Sequence, residues 1–288
     1  MSTSSAAAAP VAPQEVWDTL SQAERDAAYN NNSAVKTSAA WVEARDIAAP
    51  LFRAAAKAHL DIPYGPGARQ KLDIYSGAAG APCLVFIHGG YWQRNSRELF
   101  AHYAEGLLAH GWSVAMPSYT LAPEARLPEI VAEMGAALDL IAQHGAAYGA
   151  GGPVVVSGWS AGAQLAVMQL DHPAVAAGLA ISGVYELAPL RDTYLNAALD
   201  LSEAEIAACS PLRHAPSDKP LVIAYGTAEV PALVRDSRAL AARRVEARAP
   251  GALLPILGAD HFSILDELRR PDGQLVRAAR DLMGHVPA

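Results

Sequence analysis

Apolar and polar positions divide the 288-residue chain into two textures. From Pro13 to about Leu60 the spacing is helical, with Trp17, Leu20, Trp41, Ile47, Leu51 and Phe52 set among polar residues and alanines. The stretch Tyr29–Ser33 (YNNNS) interrupts it with turn chemistry and offers Ser33 as a helix N-cap. Beyond Leu60, short β-like runs alternate with helical stretches. The runs are Leu72–Tyr75, Cys83–Gly89, Trp112–Tyr119, Pro153–Gly158, Gly178–Gly183 and Pro220–Gly226, with a weaker one at Ala252–Leu257. Several are continuously apolar, as expected of strands buried on both faces of a parallel sheet. The intervening pattern predicts helices over about Ser96–Ala109, Leu127–Gln143 and Pro231–Arg244, and another that begins at Ser160. This alternation predicts an α/β fold: one mostly parallel sheet covered by helices on both faces. Tyr185–Pro211 is helical but breaks the alternation, so it is expected to be an insertion over the carboxyl edge of the sheet, where open α/β folds bind ligands.

Composition narrows the function. There are 22 Lys+Arg against 29 Asp+Glu, a net charge of −7, and no dense basic block, which argues against a nucleic-acid partner. With 52% hydrophobic and 18% charged residues, the chain has the balance of a packed core and not of a disordered segment. Two cysteines, Cys83 and Cys209, make no disulfide framework and are read as small core residues. Isolated as they are, they suggest no zinc site, and no cofactor is expected. The start of the chain, residues 1–13, has no basic n-region or apolar h-region, so it is expected to be a flexible tail and the protein cytoplasmic. No apolar run is long enough for a membrane span.

Candidate chemistry begins at Gly158-Trp159-Ser160-Ala161-Gly162. This G-x-S-x-G lies between a buried strand and a helix start, the setting of a nucleophile elbow. Ser160 would then project from the sheet edge beside a helix N-terminus that favours developing negative charge. A second motif, His88-Gly89-Gly90-Tyr91-Trp92, follows the strand CLVFI. By analogy with H-G-G-G esterases, the amides of Gly90 and Tyr91, with that of Ala161 behind the nucleophile, are expected to form an oxyanion hole. His88 is either a base or a structural histidine of that loop, and the structural role is favoured. The chain order of such sites places the base after the last strand, which selects His261. The acid belongs after the run Pro220–Gly226, where Glu229 is the first carboxylate, with Asp236 and Asp260 as alternatives. Trp92, Trp159, Tyr119 and Phe262 adjoin these elements and are candidate pocket residues. Core packing competes with that role about equally for Tyr119 and Phe262.

Together these motifs resemble the α/β-hydrolase superfamily, and within it the kynurenine formamidase-like branch near the hormone-sensitive-lipase-type esterases. The likeness is carried by Tyr64–Tyr75 (YGPGARQKLDIY), Phe86–Gln93 (FIHGGYWQ), Tyr119–Glu124 (YTLAPE), Gly158–Leu165 (GWSAGAQL) and Gly258–Phe262 (GADHF). It covers about Leu60 to the C-terminus. The chain departs from that branch in carrying Glu229 where such formamidases usually have aspartate. Its YNNNSAV leader is closer to bacterial esterases of the branch than to animal formamidases. The resemblance implies a single hydrolase domain over 14–288, with 14–60 as a helical leader and 185–211 as a cap, both roofing the pocket. The expected activity is hydrolysis of small carboxylic esters with a short acyl group, and the runner-up is an arylformamidase acting on N-formylkynurenine-type amides. A catalytically silent binding module is disfavoured, because Ser160 and His261 are both present. Expected partners are a small-molecule ester or formamide, with neither nucleic acid nor membrane, and a homodimer is left open.

Overall fold

The computed structural model describes residues 14–284, so the expected tail at 1–13 lies outside it. Eight strands form one sheet: β1 (Ala58–Pro63), β2 (Lys71–Tyr75), β3 (Cys83–Ile87), β4 (Ser113–Pro117), β5 (Val154–Trp159), β6 (Val175–Ile181), β7 (Leu221–Gly226) and β8 (Gly251–Ile256). Their order is β1-β2-β4-β3-β5-β6-β7-β8. Strand β2 pairs antiparallel with β1 and β4, and all pairs from β4 to β8 are parallel. The five principal helices are α1 (Ser38–Ala55), α2 (Leu127–His144), α3 (Ala161–Met168), α4 (Pro231–Glu246) and α5 (Gln274–Gly284). Among the described residues no helix is long and apolar enough to cross a membrane.

Strand alternation divides the core. Cys83, Val85 and Ile87 of β3 face α2, α3 and α4, while Leu84 and Phe86 point to the side that holds α5. All five are buried, which is why β3 reads as an unbroken apolar run. Pro128 lies in the first turn of α2 and Pro231 opens α4, where a missing N–H costs nothing.

Three expectations change at the edges. Ala58–Pro63 is an antiparallel edge strand, although the helical spacing extends to Leu60. Only Ile62 of that strand is buried, so no alternating apolar face advertised it. Ser33 is not an N-cap. It sits inside a one-turn helix, Asn31–Ala34, and donates its amide to the side chain of Asn30, the residue that caps it. Residues Arg97–Ala104 form a 3-10 helix before a single α turn at Glu105–Leu108. Over so short a stretch both helix types gather Phe100, Tyr103 and Leu107 on the buried side, and the pattern does not separate them.

Candidate active site

Ser160, Glu229, His261 and the Gly90–Tyr91 loop converge on the carboxyl ends of β3, β5, β7 and β8, the end at which open α/β sheets bind ligands. Ser160 occupies the turn between β5 and α3 with φ 59° and ψ −121°, a conformation that L-residues rarely adopt. Its amide is tied to the Ile181 carbonyl at 2.8 Å, which anchors the turn to β6. The flanking glycines are required by crowding. A Cβ on Gly158 would stand 2.1 Å from the Gly162 carbonyl oxygen, and one on Gly162 would stand 2.0 Å from that of Ile87. The elbow therefore closes only with glycine on both sides of the serine.

Ser160, His261 and Glu229 form one hydrogen-bonded chain. Ser160 Oγ lies 3.1 Å from His261 Nε2, and His261 Nδ1 lies 3.3 Å from Glu229 Oε2. The other carboxylate oxygen accepts from the Gly226 amide at 2.8 Å and from the hydroxyl of Ser182. Glu229 thus has three donors and a fixed orientation, with its side chain fully buried. Ser182, just past the end of β6, was not singled out from sequence. A serine after an apolar strand gives no local sign of a partner 47 residues away. The two competing acids are spoken for. Asp260 Oδ1 accepts the Phe262 and Ser263 amides at 2.9 Å each, and Asp236 Oδ2 accepts those of Tyr185 and Glu186.

The loop after β3 is built from unusual backbone. Gly90, Tyr91 and Trp92 have φ of 123°, 51° and 58° in succession. Among the described residues the amides of Gly90, Tyr91 and Ala161 donate to no protein acceptor, which leaves them free for an oxyanion. Side chains hold this conformation in place. Tyr91 gives its hydroxyl hydrogen to the Tyr29 carbonyl at 2.6 Å and accepts from Asn31 Nδ2 at 3.2 Å. Both partners belong to the N-terminal leader.

Two of the four expected pocket residues are elsewhere. Trp92 is fully buried in the core, where Nε1 donates to Gln164 Oε1 at 3.0 Å. The left-handed backbone at Trp92 turns its ring inward against α3. Tyr119 is also fully buried, stacked on the His88 ring at 4.4 Å, with its hydroxyl on the His88 carbonyl. Each braces the loop after β3 from behind and neither faces the cleft. Trp159 and Phe262 do line it, in a depression of about 240 Å³ that contains Ser160 and His261. Trp159 also donates Nε1 to the His261 carbonyl at 2.8 Å and packs its ring 4.7 Å from the imidazole. His88 is structural: Nδ1 donates to the Gly89 carbonyl at 2.9 Å, and the ring lies between Phe100 and Tyr119. Burial, helped by the positive charges of Arg69, Arg97 and Arg45, pushes its pKa down to about 3, so the ring stays neutral.

A buried triad-like chain, a strained serine elbow and free amides across one cleft accompany clear likenesses to known proteins. The BD-FAE family model matches residues 72–172. The crystal structure of a Silicibacter sp. tm1040 protein, provisionally assigned as a thioesterase, superposes with a TM-score of 0.79 at 31% identity and covers 88% of this chain and 98% of that one. The chain is an α/β-hydrolase. Kynurenine formamidase from Salmo salar is 28% identical over 250 residues, 81% of this chain and 84% of that protein. A Pyrobaculum calidifontis esterase shares the fold at 17% identity, with a TM-score of 0.70 over 96% of this chain and all of that one. The likeness to kynurenine formamidase agrees with the branch that the motifs of this hydrolase resemble. Its buried cysteines are no rival nucleophiles, because burial pushes the Cys83 and Cys209 thiols up to about 11.

Cover of the hydrolase site is unevenly supplied. The leader contributes Asn30, Asn31, Asn32, Val42 and Arg45 to the cleft wall. From the 185–211 insertion only Tyr194 reaches it. Instead of roofing the pocket, the insertion packs Leu187, Leu190, Leu195, Leu199, Leu201 and Ile206 into the core beside α2. Arg94 and Asn95, further along the loop after β3, complete the rim.

Proposed function

We propose that the protein is a serine hydrolase that cleaves small carboxylic esters with a short acyl group through an acyl-enzyme. The observation that carries this reading is the hydrogen-bonded sequence Ser160–His261–Glu229 facing the free amides of Gly90, Tyr91 and Ala161. His261 Nε2 takes the hydroxyl proton as Ser160 Oγ attacks the carbonyl carbon. The resulting oxyanion is held by the three amides, each worth about 3 kcal/mol in systems of this kind. Glu229 keeps Nδ1 protonated and aimed, and stabilises the imidazolium. The imidazolium then protonates the leaving alkoxide or amine. Water enters, gives a proton to His261 and releases the acid, restoring Ser160. A cleft of about 240 Å³ favours a short acyl group.

A second reading is hydrolysis of an aryl formamide such as N-formylkynurenine. It is favoured by the similarity to kynurenine formamidase across most of the chain, and formyl is the smallest acyl group. Parallel turnover of p-nitrophenyl acetate and N-formylkynurenine separates the two, with the ester expected to give the larger kcat/KM. Ser160→Ala should remove activity and fluorophosphonate labelling together. Turnover that survives this substitution sinks the mechanism.

A further inference from the structure

The cleft carries formal positive charge that the reaction itself does not use. Its wall includes Arg45 and Arg94 but no aspartate or glutamate, in a chain whose net charge is −7. The two arginines differ. Arg45 is neutralised by Asp46 at 2.7 Å and lies over the Phe100 ring, so it serves as wall. Arg94 is exposed at the rim, and among the described residues no carboxylate pairs with it. Its guanidinium lies beside Tyr194, the one residue that the insertion sends into the cleft, and its positive charge favours the ionised phenol there. Asp26, which faces Tyr194 from the leader, accepts with Oδ1 from the Tyr194 amide at 2.8 Å.

The backbone beneath Arg94 is rigid. Gln93 Nε2 donates to the Leu195 carbonyl at 2.9 Å, and Asn95 Nδ2 donates to the Gly89 carbonyl at 3.1 Å. Arg69 Nη2 holds the Asn95 carbonyl at 2.5 Å, and Asn95 itself has φ 73°. A strained loop fixed on both sides of one residue presents that residue in a set place. Here the residue is a guanidinium with free donors, in the same depression as Ser160.

We infer that Arg94, beside Tyr194 on the cleft rim, is a specificity determinant that binds a carboxylate or similar anionic group on the substrate. This rests on the serine-hydrolase reading and narrows it: the preferred substrate is an ester or amide that already carries one negative charge away from the scissile bond. A guanidinium matches a carboxylate with paired donors, a geometry that lysine does not reproduce.

Two matched pairs of esters test the inference on either side of the scissile bond. On the acyl side, 4-nitrophenyl hydrogen glutarate is compared with its methyl ester. On the leaving-group side, 4-acetoxybenzoate is compared with methyl 4-acetoxybenzoate. In at least one pair the anionic member should have a kcat/KM about 10- to 100-fold above its neutral partner, the range of a charge-assisted hydrogen bond. Arg94→Gln should lower that ratio about 10-fold or more, Arg94→Lys should restore only part of it, and added salt should shrink it. Equal or better turnover of the neutral ester in both pairs, or a ratio indifferent to Arg94→Gln, overturns the inference. If none of the four esters turns over and Ser160 resists a fluorophosphonate, the hydrolytic reading has failed instead. In that event calorimetric titration with glutarate and with benzoate decides the anion site alone: Arg94-dependent binding supports it, and no binding overturns it.

Discussion

The leader and the 185–211 insertion look alike in sequence, both helical and both outside the strand–helix alternation, yet the structure uses them differently. The leader reaches into the chemistry. Tyr29 and Asn31 hold the Tyr91 hydroxyl, and Tyr91 supplies one of the free amides. The insertion is chiefly core, with six of its apolar side chains packed beside α2 and one tyrosine at the cleft. The two are also joined: Trp17 Nε1 donates to Asp192 at 2.9 Å, and Gln22 Nε2 donates to the Asp192 carbonyl at 2.8 Å. A segment's distance from the catalytic residues in sequence says little about its part in the reaction, because what counts is which loop it braces.

Substitutions can break or sharpen this contrast. The scale is set by the acid. Glu229→Gln should lower kcat by about 10²- to 10⁴-fold, since the imidazole loses its oriented tautomer. A larger loss in Asp260→Asn would move the acid elsewhere. On the leader side, Tyr91→Phe should lower kcat by about 10- to 100-fold with KM changed only a few-fold. It frees the loop from Tyr29 and Asn31 while keeping the Tyr91 amide, and misplacing one oxyanion donor costs up to about 10³ in rate. Steady-state kinetics beside a thermal melt decide it, and an unchanged kcat would reduce the leader to packing. On the insertion side the expected effect is on stability. Ile206→Ala should cost about 2–5 kcal/mol of unfolding free energy through the cavity it leaves, with kcat at 25 °C within about threefold of the parent. A large fall in kcat with little loss of stability would erase the contrast.

The smallest effect at neutral pH concerns His88. Its folded pKa, near 3, lies below the usual value of 6.5, so between those limits the unfolded chain binds a proton that the folded one refuses. Stability is therefore fully present above about pH 6.5 and is lost as pH falls toward 3, by at most about 1.4 kcal/mol per pH unit from this group. Imidazole NMR should show the His88 ring neutral and not titrating from pH 8 to 5. Titration near 6.5 would contradict its burial between two aromatic rings.

Much of this architecture was legible because it is local. Continuous apolar runs marked β3, β5 and β7, and the glycines around Ser160 marked an elbow that only glycine permits. The placement of Glu229 and His261 beside Ser160 followed from their positions after strands. What escaped depends on contacts between distant segments. Ser182 meets the cleft residues only through Glu229, and Asn31 holds the Gly90–Trp92 loop only through Tyr91. Trp92 and Tyr119 failed for a different reason. Sequence neighbours of a site residue share its loop but not its direction, and the left-handed φ at Trp92 sends the ring into the core. Edge strand β1 escaped because a strand with one buried side chain carries almost no pattern.

The leader's anchoring has a consequence for how the molecule is made. Trp17 finds its partner 175 residues downstream, and the Tyr29 hydroxyl accepts from Arg235, 206 residues away. The leader is synthesised before the surface on which it docks, so it is among the last segments to settle. Contacts that span so much chain are slow to form. During refolding, burial of the sheet's aromatic residues should precede the return of hydrolysis. The interval between them is the time the N-terminal segment takes to close on Tyr91.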